Sequence, residues 1–206
     1  MKIQVAIDRK SLEEVKHFVQ LFDGRADIIE FGTSLIKDFG LNDLQPIAND
    51  IQASQILYDA KTVDEGQYEF KSGFNYGANY LTVMGSASPK TIQLCFDETS
   101  SDQLMMIDLS DVDENQVSQI DNFSSAIYLL HHNNDLGVPI QATSMVSKFK
   151  EAHPNVQHIA IAGGIDLKAA EALKEQGLVE IIVVGGSITG DPNPKEQLER
   201  FLHIIK

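Results

Sequence analysis

At 206 residues the chain is long enough for one large hydrophobic core, and its 43% hydrophobic and 22% charged residues exclude a disordered or low-complexity protein. Sixteen Lys and Arg against thirty Asp and Glu leave a net charge of −14, which repels phosphate backbones and anionic lipid heads and so argues against nucleic-acid and membrane partners. No apolar run approaches the ~20 residues that cross a bilayer. Cys95, the one cysteine, cannot close an internal disulfide and reads as a small buried apolar residue, so a reducing cytoplasm is the expected setting.

Taken in chain order, Met1 leads straight into an apolar run at 3–8, without the basic, apolar and small-residue sections of a signal peptide. Ser11 with Glu14 three residues on forms a capping box, and Leu12, Val15, Phe18, Val19 and Phe22 follow at helical spacing. Further strands are expected at 27–31, 55–59, 80–84, 104–108, 126–131, 158–162 and 180–184, eight in all with the first. Between them, 90–99, 111–120 and 167–176 read as helices, the last closed by Gly177. A final helix is expected at 194–205, opened by Pro194 in its first turn.

Most of these strands are near-continuous apolar runs, as suits parallel strands covered by helices. Eight βα units in about 200 residues is the lower size limit of a (β/α)8 TIM barrel. The rival is an open doubly wound sheet, but Asp8-Arg9-Lys10 stands where a glycine-rich dinucleotide loop would follow the first strand. With no linker, charge block or Pro/Ser-rich stretch to divide it, 1–206 is expected to be a single α/β domain.

In such a barrel, reacting groups lie at the carboxyl ends of the strands. Asp8 ends the first run, Glu30 sits near the end of the second, Asp59 and Lys61 close the third, Asp108 the fifth and His131 the sixth. Asp59 and Lys61, two apart, project to one side of an extended chain, and Asp64 follows where the third helix should begin. Taken alone, Asp-x-Lys-x-x-Asp is a salt-bridged strand end with a helix N-cap. At a barrel mouth, several carboxylates around one lysine suggest a site instead. Glu30 and Asp59, on neighbouring strands, can offer oxygen ligands to Mg²⁺. Spacing does not choose between that and a pair that is solvated or bridged by Lys61.

Gly163-Gly164 and Gly185-Gly186-Ser187 follow the seventh and eighth runs. Bare backbone N–H groups there can cradle a phosphate without help from net charge, at the usual phosphate position of barrels. His131, of the pair His131-His132, is expected to face inward, with a pKa suited to proton transfer. His17, His153, His158 and His203 read as structural.

Val5-Ala6-Ile7-Asp8, Asp27 to Thr33 with its Glu30-Phe31-Gly32-Thr33, Tyr58-Asp59-Ala60-Lys61-Thr62-Val63-Asp64 and the two glycine pairs resemble the orotidine 5′-monophosphate decarboxylase superfamily. They resemble most its 3-hexulose-6-phosphate synthase and 3-keto-L-gulonate-6-phosphate decarboxylase branch. The resemblance implies a homodimer with shared active sites acting on a small sugar phosphate. It implies Mg²⁺ on Glu30 and Asp59, with Lys61 stabilising an enediolate and Asp64 reaching into the partner's site. Asp8 and Asp108 match further site carboxylates, His131 the proton-transferring histidine, and Gly164, Gly186 and Ser187 the phosphate cradle.

The synthase condenses ribulose 5-phosphate with formaldehyde, whereas the decarboxylase releases CO₂. Where the decarboxylase pattern has an arginine after the strand-six histidine and a threonine before the strand-seven glycines, this chain has Asn134 and Ala162. That favours the synthase, an aldehyde-lyase, over the carboxy-lyase; a non-catalytic phosphosugar-binding relative is the third reading. The chain departs from the family at Asp135-Leu136-Gly137-Val138-Pro139-Ile140, where the loop looks shortened, and at Asp38-Phe39-Gly40.

Overall fold

The computed structural model describes residues 1–133, 137 and 140–206. Eight parallel strands close into a barrel in sequence order. They are β1 (Lys2–Ile7), β2 (Ile28–Phe31), β3 (Gln55–Thr62), β4 (Tyr80–Met84), β5 (Leu104–Asp108), β6 (Ile127–His131), β7 (His158–Ala162) and β8 (Ile181–Val184). Around them lie α1 (Leu12–Phe22), α2 (Thr33–Ala48), α3 (Gly66–Asn75), α4 (Pro89–Asp97), α5 (Glu114–Val117), α6 (Ala142–Ala152), α7 (Leu167–Gln176), α8 (Gly186–Thr189) and α9 (Pro194–Ile205). This is the expected (β/α)8 TIM barrel. Among the described residues no helix is long and apolar enough to cross a membrane.

Local chemistry sets the helix ends. The Ser11 hydroxyl accepts from the Glu14 N–H while the Glu14 carboxylate accepts from the Ser11 N–H, the expected capping box, worth about 1 kcal/mol. Asp166 caps α7, and Gly177 ends it in the left-handed region at φ 70°. Two expected helices move. The one read at 90–99 is α4, set earlier by the Ser88 cap and Pro89. The one read at 111–120 shrinks to the single turn of α5, because Asp111 is left-handed at φ 53° and the helix is capped only at Asp113. Gly40, at φ 71°, breaks α2 into two stretches.

The apolar strand runs hide a strict alternation. Ile3, Val5 and Ile7, Ile29 and Phe31, Leu81 and Val83, and Ile159 and Ile161 join the large outer core under the helices. Ala6, Ile28, Leu57, Tyr80, Met106, Ile127, Leu129, Ala160, Ile181 and Val183 fill the barrel interior as a second core. Continuing the inward set by two residues at its upper end carries Asp8, Glu30, Asp59, Thr82, Asp108 and His131 to the mouth. The same period that packs the interior therefore places the polar groups.

Candidate active site

A cavity of about 210 Å³ opens at the carboxyl ends of the strands, lined by Asp8, Arg9, Glu30, Asp59, Lys61, Thr82 and His131 on one side and Gly163, Gly164, Gly185 and Gly186 on the other. Gln4 and apolar groups including Leu129 and Val183 complete the lining. Of the site residues expected from sequence, Asp8, Glu30, Asp59, Lys61, His131, Gly164 and Gly186 line this one cavity. Asp108 lies directly behind it, fully buried and bonded to two of the lining groups, Lys61 and His131.

Lys61 reaches its place by a route that extended geometry does not provide. The register between β3 and β4 slips between Tyr58 and Thr62, and Lys61 sits in this bulge with a left-handed φ of 48°. Such a conformation costs a non-glycine residue about 1–3 kcal/mol and needs neighbours that enforce it. Thr82 does so: its hydroxyl accepts from the Lys61 N–H at 2.8 Å and donates to Asp59 Oδ1 at 2.8 Å. The ammonium then lies 3.4 Å from Asp59 Oδ2 and bonds Asp108 Oδ2. Burial opposes the charge on Lys61, but Asp59 and Asp108 outweigh it, so its pKa is raised and it stays an ammonium.

The same device recurs at β1. Arg9 is left-handed at φ 52°, and its N–H donates at 2.8 Å to Ser34 Oγ, which donates at 2.9 Å to Asp8 Oδ1. Gly32 makes room for that carboxylate, since a Cβ there would stand 2.1 Å from Asp8 Oδ1. Thr33 completes the set, donating to Asp59 Oδ2 at 2.6 Å.

Asp108 collects donors from Lys61, from His131 Nδ1 at 3.0 Å, and from the Ser110 N–H and hydroxyl at 2.8 and 2.6 Å. Burial works against its ionisation, yet His131 and Lys61 prevail and hold it well below the usual carboxylate range. An ionised Asp108 fixes the proton of neutral His131 on Nδ1, which leaves Nε2 as the basic atom. Glu30 has the opposite character. Burial, with Asp59 and Asp8 adding repulsion against the pull of Gln4 and Lys61, pushes it up to about 8.

Glu30 and Asp59 fit a hard divalent cation by their chemistry: both are buried carboxylates, at 6% and 8% exposure, and both face the same cavity. Among the described residues no set of three or more His, Cys, Asp or Glu is gathered as a metal cage. A cation held there takes the rest of its shell from water and substrate oxygens, the habit of Mg²⁺.

Three expectations are placed differently. Asp64 is exposed and outside the cavity lining, and it does not cap α3, whose N-cap is the left-handed Glu65. The Ser187 hydroxyl turns away to donate to the Ile165 carbonyl at 2.9 Å, so only its backbone remains for an anion. The residues that bear on the branch choice after His131, Asn134 and Asp135 among them, lie outside the described residues, whereas Ala162 lines the cavity. Sequence reasoning missed Gln4, Arg9, Thr33, Ser34 and Thr82; the one visible signal was a polar letter interrupting an apolar run, as at Gln4 and Thr82.

Comparison with known proteins gives this geometry a context. The sequence profile of the "Orotidine 5′-phosphate decarboxylase / HUMPS family" matches residues 1–201. A curated relative from Staphylococcus haemolyticus, named 3-hexulose-6-phosphate synthase, is 26% identical over 100% of this chain and 99% of its own. Among solved structures, 3-hexulose-6-phosphate synthase from Salmonella typhimurium superposes with a TM-score of 0.90 at 25% identity, covering 100% of this chain and 98% of that one. KGPDC from Streptococcus mutans, solved in complex with a sugar phosphate, gives 0.85 at 22% identity over 99% and 96% of the two chains, a likeness of fold.

Proposed function

Because this chain belongs to the orotidine 5′-phosphate decarboxylase / HUMPS family, we propose that it is a lyase of the 3-hexulose-6-phosphate synthase type, joining formaldehyde to ribulose 5-phosphate. The observation that carries this reading is the Lys61 ammonium held between Asp59 and Asp108, beside His131 and facing the glycine turns across one cavity. A fixed cation next to a base suits a reaction that creates negative charge on oxygen and needs it stabilised without reorganisation.

His131 Nε2 takes the proton from C1 of ribulose 5-phosphate, leaving an enediolate whose charge Lys61 Nζ faces. C1 then bonds to the formaldehyde carbon while the C=O π pair moves to the formaldehyde oxygen, which recovers a proton from His131 Nε2. Atoms balance: one C–C bond forms and the proton is returned. Glu30 and Asp59 are the residues that would hold Mg²⁺, which supplies positive charge to the sugar's oxygens when bound. Gly164 and Gly186 offer bare backbone to the phosphate, a local anion site in an acidic protein. Asp8, tied down by Ser34, borders the sugar.

Alanine at 162 and the synthase name of the full-length relative support the synthase over the decarboxylase. A homodimer with shared sites belongs to the same reading. Asp64 stands outside its own cavity, flanked by Val63 and Tyr68 at 56% and 71% exposure, an apolar margin suited to a second copy.

The test is to incubate the purified protein with ribulose 5-phosphate, formaldehyde and Mg²⁺, and separately with 3-keto-L-gulonate 6-phosphate. Formaldehyde consumption with hexulose phosphate formation is the expected result. CO₂ release from the second mixture alone replaces the synthase with the decarboxylase. Silence in both, with phosphosugar still bound, leaves a non-catalytic relative.

A further inference from the structure

The floor of the cavity holds a polar side chain that the proposed chemistry does not use. Gln4 faces inward from β1 at 1% exposure, beside Ile28 and Val183 in the strand register. An amide among such neighbours is unfavourable unless its donors and acceptor are all matched. They are not. Its Nε2 donates to Glu30 Oε2 at 2.6 Å, while its Oε1 is buried and accepts nothing. Among the described residues one other buried side-chain atom is unmatched, Oε1 of Gln176, whose amide ties α7 to α6 through Thr143 and Ser147 away from the cavity.

We propose that Gln4 is a positioning residue that pins Glu30 so that it presents one oxygen to a divalent cation, and that turns its own oxygen toward the water such a cation brings. This rests on the reading of Glu30 and Asp59 as cation ligands. Gln4 is the one hydrogen-bond partner of Glu30 among the described residues, and it occupies Oε2, leaving Oε1 for a ligand. A carboxylate held in this way binds through one oxygen. That suits the small octahedral shell of Mg²⁺, whereas Ca²⁺ tolerates and commonly uses both oxygens of a carboxylate. The unmatched Oε1 costs folding free energy in the empty protein, and a water proton from the cation's shell relieves it. Gln4 thus contributes to affinity and also to the choice of ion.

The experiment is calorimetric titration of Mg²⁺ and Ca²⁺ into substrate-free protein, for wild type, Gln4→Leu and Gln4→Met, with the melting temperature of each metal-free protein. Both substitutions remove the tether while keeping an apolar volume. Mg²⁺ affinity is expected to fall roughly 10- to 100-fold, the usual cost of losing a group that orients a metal ligand. Ca²⁺ affinity should fall less, so that the Mg²⁺/Ca²⁺ preference drops at least about tenfold as Glu30 becomes free to use both oxygens. Melting temperatures should hold or rise, since an unmatched buried oxygen is gone.

Variants that keep the wild-type ion preference overturn the role of Gln4, whether both affinities are unchanged or both fall alike. A wild-type protein that takes up neither ion overturns the reading of Glu30 and Asp59 as well, and the two failures are told apart by the wild-type titration alone.

Discussion

Lys61 and Asp108 meet through Nζ and Oδ2 at the barrel mouth although β4 stands between the strands that carry them. The bulge in β3 and the inward turn of Asp108 make the contact, and the fully buried carboxylate takes four donors in all. Lys61→Met is expected to abolish turnover. Asp108 keeps His131 and both Ser110 donors, so the stability loss is held to ~2 kcal/mol, a fall of roughly 4–8 °C in Tm for a chain of this size. A variant that melts as predicted and still turns over shows Lys61 to be scaffolding.

The same carboxylate sets an acid limit. Asp108 has a folded pKa below its unfolded one, so its contribution to stability is present above the unfolded value near 4 and is lost as pH falls toward the folded value. Wild type should lose stability below about pH 4. Asp108→Asn should show a shallower acid limb in denaturant titrations run from pH 5 downward, and parallel limbs would remove Asp108 from the explanation.

Glu30 works in the other direction. Its folded pKa of about 8 lies above the unfolded value, so between about 4.3 and 8 the folded chain holds a proton that the unfolded chain has released. Metal-free protein should therefore become less stable as pH rises through that window. A cation needs the carboxylate ionised, so at pH 7 each Mg²⁺ bound should release close to one proton. Affinity should rise about tenfold per pH unit and level off above 8. Titrations in two buffers of different ionisation heat measure the proton directly; identical heats would show that Glu30 does not give it up to the metal.

Two glycines separate fold from function at the proposed phosphate cradle. A Cβ on Gly186 meets nothing within 4 Å, so Gly186→Ala should fold as wild type. Its methyl nonetheless stands on a turn that lines the cavity, and KM for the phosphosugar should rise about tenfold with kcat little changed. Gly163 has φ +98°, and a Cβ there would sit 2.2 Å from the His132 carbonyl oxygen. Gly163→Ala should lose roughly 3–5 kcal/mol in a denaturant melt. Unchanged KM in the Gly186 variant would move the phosphate elsewhere.

How far the sequence could be read followed from which interactions are local. Strand ends, the Ser11 box and the Gly177 stop depend on neighbours in the chain and were legible there. So was the inward set of Glu30, Asp59, Asp108 and His131, because alternation is a property of each strand. The bulge was not: reading Asp59 and Lys61 as same-side neighbours reached the right contact by extended geometry, whereas a left-handed Lys61 braced by Thr82 makes it. Thr82, Ser34 and Gln4 act across strands, and a single polar letter in an apolar run does not say what it will touch. Asp64 shows the reverse error, since a helix cap expected from spacing gave way to a left-handed Glu65 and left the carboxylate exposed.

Asp64 also carries the strongest test of assembly. An exposed carboxylate between two exposed apolar side chains does nothing for its own cavity, and Val63 and Tyr68 gain by burial against a second copy. Tyr68→Glu should shift the protein toward monomer in sedimentation and lower activity with it. Co-expressed Asp64→Asn and Lys61→Met chains provide the sharper result. In a mixed dimer one cavity has lost both groups and the other has neither loss, because its Lys61 is its own and its Asp64 comes from the partner. Random pairing makes half the dimers mixed, so activity should recover to about a quarter of wild type. If each cavity uses its own Asp64, the mixture shows only the residual activity of the two parents, and the shared site is lost while the Lys61 chemistry stands.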